Sequence, residues 1–508
     1  MYESVTEVLS PGRNCGLLEK AGRFALLIDG AAYYGALAES IQRARRTVII
    51  LGWDLDSRVR LGPGAATGGE ELLPPLREFL PQVADENPDL DIYVSTWDFP
   101  LLFAHVRDPE LVWGRDPFKH PRVHLIFDST HPPGASHHQK IAVIDDDVAF
   151  AGGMDLAGGR WDTPEHRASD ARRAGKDHPY PPTHDVQAVV DGPAARALAA
   201  IARERWHRAT GVSIPETHPD IDVWPASVTP DLQGVLVGIS RTDIGADGSG
   251  NCHEVERLYL DAIEAAREFL YIENQYLTSA EIVTAVNRRL ESPTGPEVLI
   301  VLPLKNSGWL EEHTIEKLRF ESIRRLRNAD RFGRLRVCYP VVPNLDGDAV
   351  SVHSKILAVD DRLFRVGSAN LTDRSMRLDT ECDLTIEAAN PGERAALARL
   401  RNRLLAEHLG LSTEDVAAYL EKDGSMLRLV DARRTASRCL RELQPDGDVF
   451  GLAVDEIVDP SRPLTPGVVI EAVATSAAAS PRTLFAATLT GAAIALTLWA
   501  IVQRFRTR

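Results

Sequence analysis

Cysteine is scarce in this 508-residue chain, and the five present (Cys15, Cys252, Cys338, Cys382, Cys439) are odd in number and scattered. None has CxxC spacing, so neither a disulfide framework nor a zinc site is indicated, and a reducing compartment is favoured. Net basic charge is missing too: 57 Lys and Arg stand against 73 Asp and Glu, a formal charge of −16. A dedicated nucleic-acid binder needs cationic surface to displace phosphate counterions, which argues against that class. The opening residues, Met1-Tyr-Glu-Ser-Val-Thr-Glu7, lack the basic and apolar regions of a secretory signal. Continuous apolar stretches are absent until Leu484 to Val502, which runs 19 residues without a charge.

The remaining composition, 44% hydrophobic and 26% charged, is that of ordinary globular material. The length suffices for two core-forming domains plus extras. One short motif occurs twice, 215 residues apart: His138-Gln-Lys140 with Asp145 and Gly152-Gly153, then His353-Ser-Lys355 with Asp360 and Gly367-Ser368. A repeat at matched offsets implies two similar halves and a site built where they meet. Lys140 to Asp145 and Lys355 to Asp360 are short, apolar and partly β-branched, and read as buried strands. Alternation along a strand puts His138 with Lys140, and His353 with Lys355, on one face. Asp145 and Asp360 have the opposite parity and stand in acidic turns, so they read as turn-fixing groups of the motif. Phe150 to Gly153 and Phe364 to Ser368 read as return strands whose Gly residues admit a bulky ligand.

Two imidazoles and two ammonium groups around one phosphate provide a mechanism without metal or cofactor. One neutral His attacks phosphorus, and the other donates a proton to the leaving alkoxide and later activates water or an alcohol. The lysines stabilise charge on the non-bridging oxygens. Free imidazole titrates near ~6.5, so the two rings must be held in opposite states, with a carboxylate behind each fixing its tautomer.

The doubled HxKxxxxD pattern resembles the signature of the phospholipase D superfamily. Gly152-Gly-Met-Asp-Leu-Ala-Gly-Gly-Arg-Trp-Asp162 and Gly367-Ser-Ala-Asn-Leu-Thr-Asp-Arg-Ser-Met376 are similar to segments of its eukaryotic-type, phosphatidylcholine-cleaving branch. Tyr271-Ile-Glu-Asn-Gln-Tyr276, Leu27-Ile-Asp-Gly30 with Ile49 to Asp54, and Thr183-His-Asp-Val-Gln187 extend the likeness, which runs from about residue 24 to about residue 425. The resemblance implies His138 as nucleophile, His353 as general acid and base, and Lys140, Lys355 and Asn370 as phosphoryl ligands. Asp155 stands where the second copy has Asn370, so the half-sites are not equivalent. It further implies Asp185 behind His138 and Glu381 behind His353, with Asp379 and Asp383 as competitors for the latter role. Gly153, Ser368, Glu273, Asn274 and Gln275 are candidates to line the substrate pocket, and no metal ligand is expected.

The expected fold is α/β: two similar lobes with mixed sheets flanked by helices, the active site at their pseudo-twofold interface, plus a C-terminal transmembrane helix. Residues 30–47 and 254–269 have helical spacing and feed strands at Val48 to Leu51 and Leu270 to Ile272. The lobes are placed at 1–225 and 226–425, followed by a juxtamembrane region and linker (426–483), a membrane helix (484–502) and a basic tail (503–508). That run spans roughly 28 Å as a helix, near the ~30 Å of a hydrocarbon core. The absent signal places the lobes in the cytoplasm, although the positive-inside rule would keep the Arg-rich tail there as well. The functional expectation is a membrane-anchored phosphodiesterase that hydrolyses glycerophospholipids to phosphatidic acid and headgroup alcohol. Its partners are a phospholipid membrane and water or a small alcohol as acceptor, with no nucleic acid. The alternatives are a phosphatidyltransferase of the cardiolipin-synthase type and a catalytically weak membrane-tethered scaffold.

Overall fold

The structure is a computed structural model that describes residues 8–62, 73–98, 108–173, 180–217, 221–245, 250, 252–305, 309–345, 348–444 and 459–464. The first half runs β1 (Leu17–Ile28), α1 (Asp29–Arg43), β2 (Thr47–Gly52), α2 (Leu76–Glu86), β3 (Asp91–Trp97), α3 (Pro109–Val112) and β4 (Val123–Asp128). It continues through β5 (Ile141–Ile144), β6 (Val148–Gly152), β7 (Thr183–His184), β8 (Val186–Asp191) and α4 (Gly192–Thr210). The second half opens with β9 (Leu232–Asp243), β10 (Cys252–His253), α5 (Glu254–Ala265), β11 (Phe269–Glu273), α6 (Ala280–Glu291), β12 (Glu297–Val301) and α7 (Trp309–Ala329). Then come β13 (Leu335–Val341), β14 (Ser351–Val352), β15 (Ile356–Val359), β16 (Leu363–Gly367), α8 (Asp373–Arg377) and β17 (Glu381–Glu387). Three helices follow, α9 (Pro391–Leu409), α10 (Thr413–Asp423) and α11 (Met426–Arg433), and β18 (Cys439–Glu442) ends the regular structure among the described residues.

One 16-stranded mixed sheet carries both halves, in the order β18-β13-β12-β11-β15-β16-β17-β9-β1-β8-β6-β5-β2-β3-β4, with β10 paired to β9. Outward from the antiparallel β1–β9 pair the order is mirrored: β8, β6, β5, β2, β3, β4 on one side and β17, β16, β15, β11, β12, β13 on the other. Within each half three strands, β2-β3-β4 and β11-β12-β13, are parallel and the ones nearer β1 and β9 antiparallel. The strands nearest the motifs, β5, β6, β8, β15, β16 and β17, are buried along their whole length. Of these, β5, β6 and β15 read as unbroken apolar runs, as strands covered on both faces do, whereas β8, β16 and β17 also bury polar or charged side chains. Helices α4 and α9 pack their Ala- and Leu-rich faces on one side of the sheet, in a core shared by the two halves.

Two expectations are corrected. Residues 426–443 are not linker: α11 packs on the second half, and β18 extends its sheet, pairing antiparallel with β13. The second correction concerns the transmembrane helix and the single C-terminal membrane anchor. Among the described residues no helix is long and apolar enough to cross a membrane, and residues 484–502 lie outside those described. The longest helices, α4, α7 and α9, all carry several charged residues, because each buries one face on the protein and wets the other. A membrane localisation through a single C-terminal anchor therefore has no support among the described residues.

Candidate active site

Each HxK segment sits immediately before a central strand: Lys140 precedes Ile141 of β5, and Lys355 precedes Ile356 of β15. Ile141 pairs with Leu51 near the end of β2, and Ile356 with Glu273 at the end of β11. The motifs therefore lie at the carboxyl ends of the parallel strands, where open α/β sheets leave room for ligands.

Backbone pairing across the halves brings the motifs together. His137 bridges Thr380, the His138 N–H donates to Thr380 O at 3.0 Å, and the Thr380 N–H donates to Ser136 O at 3.0 Å. On the other side β7 and β14 form a two-stranded parallel ribbon, and the His353 N–H donates to His184 O at 2.8 Å. Each motif is thus laced to a strand of the opposite half.

That lacing exchanges the expected carboxylates. His138 Nδ1 lies 3.0 Å from Glu381 Oε2, and His353 Nδ1 lies 2.7 Å from Asp185 Oδ2. Asp185 had been expected behind His138 and Glu381 behind His353; the structure pairs them the other way, because the supporting strand always comes from across the interface. With Nδ1 committed, Nε2 of each ring is the atom left for chemistry. The competitors are engaged elsewhere: Asp379 accepts from Arg374 Nε at 2.6 Å and the Ser136 N–H at 2.7 Å, and Asp383 accepts from Arg365 Nε at 2.9 Å.

The lysines differ. Lys140 Nζ is 3.0 Å from Asp155 Oδ2 and donates to His138 O at 3.0 Å. Lys355 Nζ donates to His353 O and lies 3.1 Å from His353 Nδ1. Asn370 is buried, and its Oδ1 has no partner among the described residues. Burial pushes both imidazoles well below their usual range, and the surrounding cations, including both lysines in each case, push the same way. Each ring feeling both ammonium groups is the electrostatic sign of one shared site. Burial lowers Lys355 to about 7 and raises Glu381 to about 7 and Asp185 to about 6. Asp155 moves down instead, because Lys140 and other cations outweigh its burial.

The motif aspartates stand at the far ends of the strands. Asp145 accepts from the N–H groups of Arg45, Arg46 and Thr47 at 2.7, 2.7 and 2.8 Å. Asp360 does the same for Arg267, Glu268 and Phe269 at 2.6, 2.8 and 2.8 Å. Both begin tight turns with successive positive φ values (50° and 56°, 52° and 50°), a hairpin geometry that Asp tolerates. They hold the start of the neighbouring parallel strand rather than contact the histidines.

The proposed pocket residues also separate. A Cβ on Gly153 would lie 2.2 Å from Asp185 Oδ1, so glycine here admits the carboxylate behind His353. Ser368 Oγ donates to Glu381 Oε2 at 2.5 Å. Asn274 is buried and accepts from the Leu371 N–H at 3.1 Å, which steadies the chain around Asn370. Gln275 is half-buried and donates to the Tyr276 hydroxyl at 3.0 Å. Glu273 is fully buried. It is buried among His184 Nε2 (2.9 Å), His408 Nε2 (3.0 Å), Tyr271 and Ser354 Oγ (2.5 Å).

Glu273 belongs to a buried cluster that sequence reasoning passed over. His184 Nδ1 is 3.1 Å from Asp29 and 2.8 Å from Glu407, while His166 is 2.9 Å from Glu407 and 3.0 Å from Asp162. Burial alone would lower these imidazoles, but the carboxylates win, raising His166 to about 9 and His184 well above its usual range. Asp29, His166, His184 and Glu407, and separately His184, Glu273 and His408, are the groups among the described residues with ligand atoms close enough to hold a metal ion. Glu407 also lines a cavity of about 880 Å³ between α1 and α9, which includes none of the motif residues. The only sequence signal for the cluster was that Asp29, Asp162, His184 and Glu273 fall in the quoted elements; His166, Glu407 and His408 carried none.

Comparison with known proteins agrees with this architecture. A family model described as Phospholipase D matches residues 125–231, and one described as Cardiolipin synthase, PLD-like domain matches residues 259–402. Phospholipase D A of Dictyostelium discoideum is 29% identical over 461 residues, covering 76% of this chain and 35% of that protein. Phospholipase D alpha 3 of Arabidopsis thaliana is 24% identical, covering 78% of this chain and 65% of that one. The chain thus spans about a third of the first relative and under two thirds of the second. The crystal structure of phosphatidylserine synthase from Haemophilus influenzae Rd KW20 shares the fold, with a TM-score of 0.55 at 16% identity over 84% of this chain and 98% of that one. Two family models, one on each motif-bearing half, together with these relatives, show that the chain belongs to the phospholipase D superfamily.

Proposed function

We propose that this protein is a phospholipase D-type phosphodiesterase that hydrolyses glycerophospholipids to phosphatidic acid and a headgroup alcohol. The observation that carries the reading is the exchange of support across the interface: each motif histidine rests on a carboxylate of the other half, and each feels both lysines. His138 Nε2 attacks phosphorus, forming a P–N bond as the headgroup P–O bond breaks. His353 Nε2 protonates the departing alkoxide, then takes a proton from water as it attacks the phosphohistidine and releases His138. Lys140, Lys355 and Asn370 hold the non-bridging oxygens.

The supporting carboxylates favour this division of roles. Asp185, raised only to about 6, is mostly ionised at neutral pH and stabilises an imidazolium at His353. Glu381, at about 7, is half protonated and leaves His138 neutral, as a nucleophile requires. The bound phosphodiester anion opposes the cationic surroundings and raises His353 toward protonation.

The transferase reading uses the same intermediate with an alcohol as acceptor, and the description of the model matching 259–402 keeps it in view. Incubating purified protein with phosphatidylcholine, with and without a primary alcohol, separates the readings. Phosphatidic acid in water, partly replaced by the phosphatidyl alcohol, is expected; product only when a lipid alcohol is supplied would favour the transferase. No release of headgroup under either condition would refute both.

A further inference from the structure

Arg160 lies in the loop after Asp155, half-buried. Its Nε is buried without a hydrogen-bond partner, and its guanidinium makes no hydrogen bond or ion pair with any described residue. Leaving a buried donor unmet is costly, so a charged one marks a place where an acceptor belongs. The loop itself is firmly held. A Cβ on Gly30 would lie 2.4 Å from Arg160 O and 2.6 Å from Trp161 Cα, so only glycine permits the approach. The Ala31 N–H donates to Asp162 O at 2.9 Å, and the Tyr180 hydroxyl donates to Trp161 O at 2.7 Å. A flexible loop does not account for the missing partner.

The charge of Arg160 reaches both half-sites: it helps to lower His353 and Lys355 and opposes the burial-driven rise of Asp185 in one, and helps to lower Asp155 in the other. The site needs such a charge. Asp155 neutralises Lys140, whereas the second half has the uncharged Asn370 at the matching position. Lys355, pulled to about 7 by burial, is only partly charged before substrate arrives. A phosphodiester would therefore meet less than two effective lysine charges, while a guanidinium stays charged and offers a planar fork suited to phosphate.

We propose that Arg160 is a third phosphate-binding cation, donating to a non-bridging phosphoryl oxygen and offsetting the charge that Asp155 removes from Lys140. This rests on the phosphodiesterase reading above. The test uses inorganic phosphate as the probe, titrated by calorimetry into the full chain, alongside kcat/KM on a short-chain phosphatidylcholine. Arg160→Gln is expected to weaken phosphate binding about tenfold or more with the melting temperature unchanged. Arg160→Lys, which keeps charge but loses the fork, should fall between, and it carries the test if the Gln variant does not fold. Adding Asp155→Asn to Arg160→Gln should recover most of the lost affinity by freeing Lys140, a compensation that a merely structural role would not produce. Wild-type affinity in Arg160→Gln, no recovery in the double variant, or no phosphate binding by the wild type would each overturn the inference. A wild type that binds phosphate with this pattern yet cleaves no phosphodiester would instead refute the functional reading and leave the anion site standing.

Discussion

The first half-site holds an ion pair where the second holds an amide. Lys140 faces Asp155 at 3.0 Å, while Asn370, at the matching place in the second copy, keeps its Oδ1 without a partner among the described residues. Beneath the motifs the contrast continues. Gly153 is reduced to a hydrogen so that Asp185 fits, whereas its counterpart Ser368 donates to Glu381. Phe150 lies in the apolar core under the first copy, and its counterpart Arg365 donates to Lys355 O at 2.8 Å and pairs with Asp383 under the second. Identical motif letters thus stand in unequal surroundings, and unequal surroundings are what two histidines need to hold opposite protonation states.

The strongest way to break this comparison is to remove each histidine in turn. His138→Ala should cost ~10⁴-fold or more in kcat, since no covalent intermediate can form, and His353→Ala about 10²- to 10⁴-fold, the range of general acid–base catalysis. A phosphodiester with a nitrophenolate leaving group needs little protonation, so in the first turnover its release should recover much of the His353→Ala loss and none of the His138→Ala loss. Restoration in the opposite variant would reverse the roles.

The exchanged carboxylates come next. Asp185→Asn is expected to lower kcat by about 10²-fold or more and Glu381→Gln by less, because only Asp185 is mostly ionised at neutral pH. Rates measured from pH 5 to 8 check the pairing: loss of Asp185 should remove the dependence on the protonated form of His353, and an unchanged profile would argue against it.

A smaller effect sharpens the electrostatics. Before an anion binds, burial and cations hold His353 well below its usual range, and burial holds Lys355 at about 7. An anion raises both, so phosphate binding near pH 7 should take up protons, and uptake should decline as pH falls below the value of about 7 that Lys355 has without the anion. Binding enthalpies in buffers of different ionisation heat would measure this; net proton release would contradict it.

The smallest contrast is at the motif aspartates, where the halves match. Asp145→Ala and Asp360→Ala each remove one carboxylate that accepts three backbone N–H bonds, a loss of about 2–3 kcal/mol in stability. The activity of the folded fraction should remain near wild type. Denaturant melts paired with rates at low temperature test this, and a rate loss without destabilisation would place the aspartates in the chemistry.

Much of the local structure could be read from the chain. The apolar tracts after Lys140 and Lys355 are strands at Ile141–Ile144 and Ile356–Val359, and the acidic turns Asp145-Asp146 and Asp360-Asp361 are tight hairpins. Strand and turn preferences act over a few residues, so they are written locally. The segment 426–443 misled because α11 and β18 are short and gain stability only against β12 and β13. Glu273 misled for a related reason: at the end of a strand it looks poised for ligand, yet three residues of the first half and the C-terminal helices, His184, Asp29 and Glu407, close over its surroundings.

By itself the sequence determined that two like motifs exist, that each pairs an imidazole with an ammonium group, and that Asp155 and Asn370 make them unequal. Those facts are residue identities at fixed offsets, and no packing can alter them. Which carboxylate serves which histidine was decided only by tertiary structure. Asp185 reaches His353 through the β7–β14 ribbon, and Glu381 reaches His138 through the Thr380 bridge, across sequence separations of 168 and 243 residues. Offsets along a chain carry no information about which half lies across an interface, and the lowered pKa of each histidine follows from burial and from the cations of both halves, which are properties of the assembled sheet.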